Sequence, residues 1–302
     1  MGRLIKAEFR KVLTTRLWWA LMIPTVLVAL GWAWGFSALA TEIANDVNDD
    51  PIFREAGVSF NDISWSALAF TRAINISTIF PMVFGALAIA SEISRKTITT
   101  SFLTAPTRTE LLGAKAITYV VWGAVYGVVI VGAASLGLLL GSGESHLVGF
   151  SAWLAIAGSG VLSCVLWTLL GIGVGALIGS PVGSLVLLLI YALLVGPVSE
   201  LLLAGLAEGG TSIAGWLPNG SANGLTGSTA ANVIVGQIQD IANSTGAGLI
   251  PADIVEPFEE AVRWAAGAPG ALTLWASGLI FFGWTMVLFI GGLFRTQTRD
   301  VT

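Results

Sequence analysis

The sequence predicts an all-α polytopic membrane protein with six transmembrane helices. Of its 302 residues 55% are hydrophobic and only 11% are charged, against about 25% in ordinary soluble domains. The charges are also missing from long blocks rather than thinned throughout: none lies between Arg16 and Glu42, Arg72 and Glu92, Lys115 and Glu144, His146 and Glu200, or Arg263 and Arg295. A hydrocarbon core about 30 Å thick needs roughly 20 apolar residues at 1.5 Å each, so four blocks hold one helix apiece. The block from Leu147 to Ser199 is long enough for two.

Residues 1–16 read as a cytoplasmic interfacial helix. Leu4, Ile5, Phe9, Val12 and Leu13 recur at steps of three and four, while Arg3, Lys6, Arg10 and Lys11 fall mostly on the other side. The alternative is a basic flank that only satisfies the orientation rule. Span one, 17–39, opens with Trp18 and Trp19 at headgroup depth. Ala38-Leu39-Ala40 imitates a signal-peptide cleavage site, but the uncharged run before it is longer than the roughly 7 to 15 residues of a signal h-region. The segment 40–72 carries six acids and little apolar periodicity, and reads as a solvated loop with short helical turns. Spans two and three follow at 73–92 and 115–141.

Gly179, Ser180, Pro181 and Gly183 break the long block into a helical hairpin, spans four and five, at 151–178 and 183–206. Gly171, Gly175 and Gly179 in span four stand four apart, a small-residue ridge suited to close helix packing in lipid. Residues 207–270 are too many for a bare connector. Gly209, Gly210, Trp216, Pro218, Asn219 and Gly220 mark turns there, 229–243 and 252–266 have helical spacing, and Glu256, Glu259 and Glu260 read as a solvated helical face. Span six is 271–294.

Basic residues in short loops stay in the cytoplasm. With the N-terminus inside, 11 of the 14 lysines and arginines are cytoplasmic, leaving Arg54, Arg72 and Arg263 outside. Both termini are therefore expected in the cytoplasm.

Several chemistries are excluded. The lone Cys164 and lone His146 allow neither an internal disulfide nor a clustered metal site. No G-x-x-x-x-G-K-[ST] loop is present to hold ATP, and glycines inside a bilayer span do not make a dinucleotide loop. Ala157-Gly158-Ser159-Gly160 approaches the G-x-S-G of rhomboid proteases, but Ala157 replaces the first glycine and the last span offers no histidine base for Ser159. Ion relays need ionisable groups inside the bundle. Glu200, beside Gly196 and Pro197, is the candidate, and a wetted or capping role suits it better than a relay. Energy for any transport must then enter from another protein.

The loop between spans two and three is where it could enter. It runs from Glu92-Ile93-Ser94-Arg95-Lys96-Thr97 through Phe102-Leu103-Thr104-Ala105-Pro106-Thr107-Arg108 to Glu110 and Lys115. Phe102 and Leu103 form an apolar knob, Arg95, Lys96 and Arg108 can pair with acids on a partner, and Pro106 limits the helix. An ordinary basic loop is the alternative. This stretch resembles the signature loop of ABC-2 type permeases, in which a glutamate closes span two, a short coupling helix ends near a proline, and an arginine and lysine lead into span three. The resemblance extends to the six-span order, the N-terminal helix bearing Glu8 and Lys11, and the large segment before the last span. It departs at Arg95-Lys96, where the family often has glycine.

The resemblance implies one permease domain over 1–302, with a coupling loop at 93–114 and an extracytoplasmic segment at 207–270. It implies a multi-pass protein of the bacterial plasma (inner) membrane. The chain itself is no enzyme and holds no cofactor; two ABC ATPase subunits bind ATP and Mg. A second permease copy, identical or related, completes the assembly, and nucleic acid has no part in it. Glu92, Arg95, Lys96, Thr97, Phe102, Leu103, Pro106, Arg108 and Lys115 are the implied coupling residues, assisted by Lys6, Glu8, Phe9, Arg10 and Lys11. The dimer interface would be built mainly from spans two and five, with Ser77, Phe80, Phe84, Leu187 and Tyr191 lining the path. An uncharged path suits export of a hydrophobic or amphiphilic drug, lipid or peptide. The rival from another class is a non-transporting membrane scaffold or sensor subunit of an ATPase-linked complex.

Overall fold

The computed structural model describes residues 1–49, 63–98, 107–142, 147–205, 213–244, 252–267, 270 and 272–298. Every regular element among them is helical. In chain order they are α1 (Gly2–Thr14), α2 (Leu17–Asp49), α3 (Ser66–Ser77), α4 (Ile79–Ser94), α5 (Arg108–Gly141), α6 (Phe150–Ile178), α7 (Pro181–Ile190), a π-helical turn (Tyr191–Val195), α8 (Gly196–Gly205), a 3₁₀ turn (Ile213–Trp216), α9 (Pro218–Ser244), α10 (Ala252–Ala265) and α11 (Leu274–Thr298). Six stretches are long and apolar enough to cross a membrane: Leu17–Asp46, Ser66–Ser94, Thr109–Gly141, Phe150–Ile178, Pro181–Leu203 and Leu274–Thr298. The all-α, six-span fold expected from the charge-free blocks is the fold observed. The bundle end that carries α1 is called the near end below, and the end that carries α9 the far end.

The spans differ from expectation where a charge or a proline was given too much weight. Span two begins at Ser66 rather than 73, so Arg72 lies inside it. Its Nε donates to the Ala265 carbonyl at 2.7 Å and its Nη2 to the Trp264 carbonyl. Capping the end of α10 in this way satisfies the guanidinium without an exposed loop. The expected loop 40–72 is helical on both flanks, to Asp49 and from Ser66, and its middle lies outside the described residues. Span two is broken at Thr78 between α3 and α4. Pro81 has no amide hydrogen for the Ser77 carbonyl, which breaks the ladder there.

Span five bears the same signature. Pro197 cannot serve the Leu193 carbonyl, and the register widens over Tyr191–Val195 so that Gly196 N–H reaches the Tyr191 carbonyl. Pro218, Asn219 and Gly220, expected as turn markers, instead start α9. Proline in a first turn loses no helical hydrogen bond.

Span four is the central post, packed against α4, α5 and α11. A Cβ on Gly171 would lie 2.1 Å from the Met82 carbonyl oxygen, and one on Gly175 would lie 2.3 Å from that of Ala86. Gly85 answers from α4, 2.1 Å from the Thr168 oxygen. On another face Gly173 and Gly292 bring α11 equally close. Such backbone contact supplies the dispersion that replaces a hydrophobic drive in lipid. Gly179 does not share this packing role. At φ 73° it closes α6 in the left-handed conformation, its N–H on the Gly175 carbonyl. Ser180 Oγ then caps α7 by accepting from Gly183 N–H at 3.3 Å.

Candidate functional site

Glu92 ends one charge-free block and Lys115 begins the next, so both sit where a span meets the near-end loop. The fold brings them together. Lys115 Nζ donates to Glu92 Oε1 and to Glu8 Oε2, each at 2.7 Å. Lys11 Nζ also donates to Glu92 Oε1 and lies 3.9 Å from Glu8. Lys115 is 1% exposed, Glu8 5% and Glu92 6%. Two buried carboxylates are thus neutralised by one buried ammonium group, Lys115, and one partly exposed one, Lys11, as a buried charge requires. The quartet joins α1 to the last turn of α4 and the first turns of α5, clamping both ends of the 93–114 loop to the N-terminal helix.

This pairing sets the roll of α1. Glu8 and Val12, one turn apart, are its buried residues, whereas Leu13, expected on the apolar stripe, is 56% exposed. Phe9 packs half-buried against the core beneath. Arg3, Lys6 and Arg10 are exposed and, with Lys11, form a basic row along one open face of α1.

Deeper in the bundle an aromatic cluster backs the quartet. The Phe84 ring lies tilted against its neighbours, with centroids 5.2 Å from Tyr119, 5.9 Å from Trp122 and 5.3 Å from Tyr126. Tyr126 Oη donates to the Trp18 carbonyl at 2.8 Å, and Lys115 Nζ lies 5.9 Å from the centre of the Tyr119 ring. Spans one, two and three are joined there by rings with few rotamers to lose.

Past the quartet α4 stops abruptly. Lys96 takes φ 57° and returns its N–H to the Ile93 carbonyl at 3.1 Å, a left-handed helix stop at a position that favours glycine. Arg95, Lys96 and Thr97 are exposed. Phe102, Leu103 and Pro106 lie outside the described residues, as does the Arg108 side chain. Thr107 caps α5, its Oγ1 accepting from Glu110 N–H at 3.2 Å.

The family described as "ABC-2 family transporter protein" matches residues 4–195. The chain belongs to the ABC-2 transporter family. No curated protein matches it. ABC-2 permeases work in the membrane with an ABC ATPase. The match runs from α1 through the π-helical turn, so it includes the whole quartet.

The remaining expected residues of this ABC-2 protein fall into two groups. Ser77 is buried with its hydroxyl on the Ala73 carbonyl at 2.7 Å, and Phe84 is 1% exposed inside the aromatic cluster. Phe80 packs half-buried against the same core. In this conformation Ser77 and Phe84 line no surface; they hold spans together. Leu187 and the half-buried Tyr191 lie on span five, whose Ile190, Leu193, Leu194, Leu201 and Leu202 are exposed.

Sequence reasoning missed the partners of Glu200. This carboxylate is 6% exposed and accepts from Asn219 Nδ2 at 2.7 Å and Asn223 Nδ2 at 3.2 Å. The Asn219–Asn223 spacing, one helical turn, was the available signal, hidden because Pro218-Asn219-Gly220 reads as a turn.

Proposed function

We propose that this chain is the membrane-spanning permease subunit of an ABC exporter of hydrophobic or amphiphilic compounds. Two copies, or one copy and a related permease, would be driven by two ATPase subunits that bind ATP and Mg, in a bacterial inner membrane with both termini cytoplasmic. The observation that carries this reading is the buried quartet. A charge-compensated lock between the N-terminal helix and both ends of one loop suits a junction that takes force from a partner; a scaffold needs only an exposed docking face. The basic row of α1 and the exposed Arg95 and Lys96 offer an acidic partner surface its counter-charges. The spans offer little to drive transport themselves, and the quartet neutralises itself.

The test is substrate-stimulated ATPase activity of the reconstituted complex, with the paired substitution F102D/L103D. Loss of stimulation with the complex still assembled supports coupling through the loop. Stimulation that survives removes the loop from the mechanism, and a complex that shows no vectorial flux under any condition points to the scaffold.

A further inference from the structure

The far end of the bundle holds a second polar site. Glu200, from α8, is surrounded by neutral amides: Asn219 and Asn223, from the first two turns of α9, both donate to it. Among the described residues no Lys, Arg or His nitrogen lies within 4 Å of it, since the ion pairs all belong to the near-end quartet. Arg72 is the cation whose charge acts on it from farther away, and its guanidinium is committed to the Trp264 and Ala265 carbonyls. Among the described residues Glu200 is thus a carboxylate removed from solvent with no cation in direct contact. Ionisable groups in a membrane span pair or serve function.

Beside it lies a cavity of about 60 Å³, bordered by Asn75, Thr78, Met82, Trp167, Leu193 and Asn219. Asn219 belongs to both, bordering the cavity while donating to Glu200. Asn75 accepts from Thr226 Oγ1, but its Nδ2 is buried without a partner. One wall is the π-helical turn, whose Leu193 is 64% exposed, so the cavity borders the open face of span five. The volume is that of about two water molecules, too small for a whole amphiphile and sufficient for its head.

We infer that this pocket takes the protonated amine of an amphiphilic ligand, with Glu200 as counter-charge and Asn75 Nδ2 as donor to an acceptor on the ligand. The ligand's tail lies along the leucines of span five, and rotation of the Asn219 amide admits the ammonium group to Glu200. The inference deepens the exporter reading by naming a substrate class, and rests on it only for the word substrate. A carboxylate already desolvated in the folded chain gains more from a cation than a solvated one does, because part of the desolvation cost has been met on folding.

The experiment uses the purified full chain in neutral-lipid nanodiscs, with dodecylamine as probe and dodecanol as its uncharged counterpart. Apparent affinities come from thermal stabilisation, corrected with empty nanodiscs for partitioning. The expected result is a preference of about tenfold or more for the amine, falling to about one in folded E200Q. A wild-type chain with no preference overturns the inference, as does a preference that survives in E200Q. Should E200Q fail to fold, the wild type still decides: dodecylamine, unlike dodecanol, should protect Glu200 from dicyclohexylcarbodiimide labelling read by peptide mass spectrometry, and equal labelling with both overturns the inference. These readouts need no ATPase, so their failure leaves the coupling test untouched. Failure of coupling leaves the amine preference equally intact.

Discussion

Replacing Lys115 by methionine probes the quartet directly. The substitution conserves length and removes the charge, leaving Glu8 and Glu92 buried with only Lys11, whose side chain is 41% exposed, to neutralise them. Breaking a buried pair by deleting one partner costs about 3–5 kcal/mol, and the loss of two hydrogen bonds of 2.7 Å places Lys115→Met within that range. Lys11→Ala removes a half-solvated ammonium, which water and salt screen, and should cost no more than about 1 kcal/mol. The triple variant E8Q/E92Q/K115M removes the stranded charges as well, so it should be more stable than K115M alone. Unfolding in mixed SDS micelles, followed by the summed fluorescence of the chain's 12 tryptophans, gives these differences, and the cycle isolates the coupling. A Lys115→Met cost near that of Lys11→Ala, or strictly additive effects across the triple variant, would refute the reasoning.

Two further substitutions test the backbone geometry by thermal unfolding in detergent. A Cβ on Gly171 would collide with the Met82 backbone, so Gly171→Ala should cost at least about 1–3 kcal/mol; the control Gly158→Ala meets nothing within 4 Å and should stabilise by up to about 1 kcal/mol through helix propensity. Lys96→Gly should raise stability by about 1 kcal/mol, because a left-handed backbone strains any residue with a Cβ; a drop of that size would mean that the lysine side chain outweighs the strain.

What could be read from the sequence was set by the range of the interactions involved. A charge-free block reports its own solvent, so the six spans were legible from neighbouring residues alone. Arg72 misled because the carbonyls that accept its hydrogen bonds lie almost two hundred residues away, at Trp264 and Ala265. The quartet was half legible: Glu92 and Lys115 stand out as block edges, Lys11 showed only as part of a polar helix face, and Glu8 came only through the resemblance. That Glu8 closes on Lys115 depends on α1 folding back beside the start of α5, which no local pattern encodes. The glycine ridge was legible for Gly171 and Gly175 because spacing defines a helix face. Gly179 has the same spacing, but it follows the last helical residue, Ile178, two positions before Pro181, where the demand for a left-handed stop overrides packing.

One polar site lies at the near end of span two and the other beside the break in its middle, at Asn75, Thr78 and Met82. From Met82 to Glu92 the span is α4, locked to α6 through Gly85, Gly171 and Gly175 at distances that leave no slack for sliding. A displacement of the quartet end of α4 would therefore be expected to carry α6 with it. From Ser66 to Ser77 the span is α3, separated from α4 by the break at Thr78, packed on α2, α5 and α6, and hydrogen-bonded to the far-end helices by Asn75 to Thr226 and by Arg72 to the end of α10. Thr78 borders the cavity beside Glu200. Under the proposed coupling, a displacement of Glu92 would reach that cavity as a change of angle at Thr78, and no charge would have to cross the membrane.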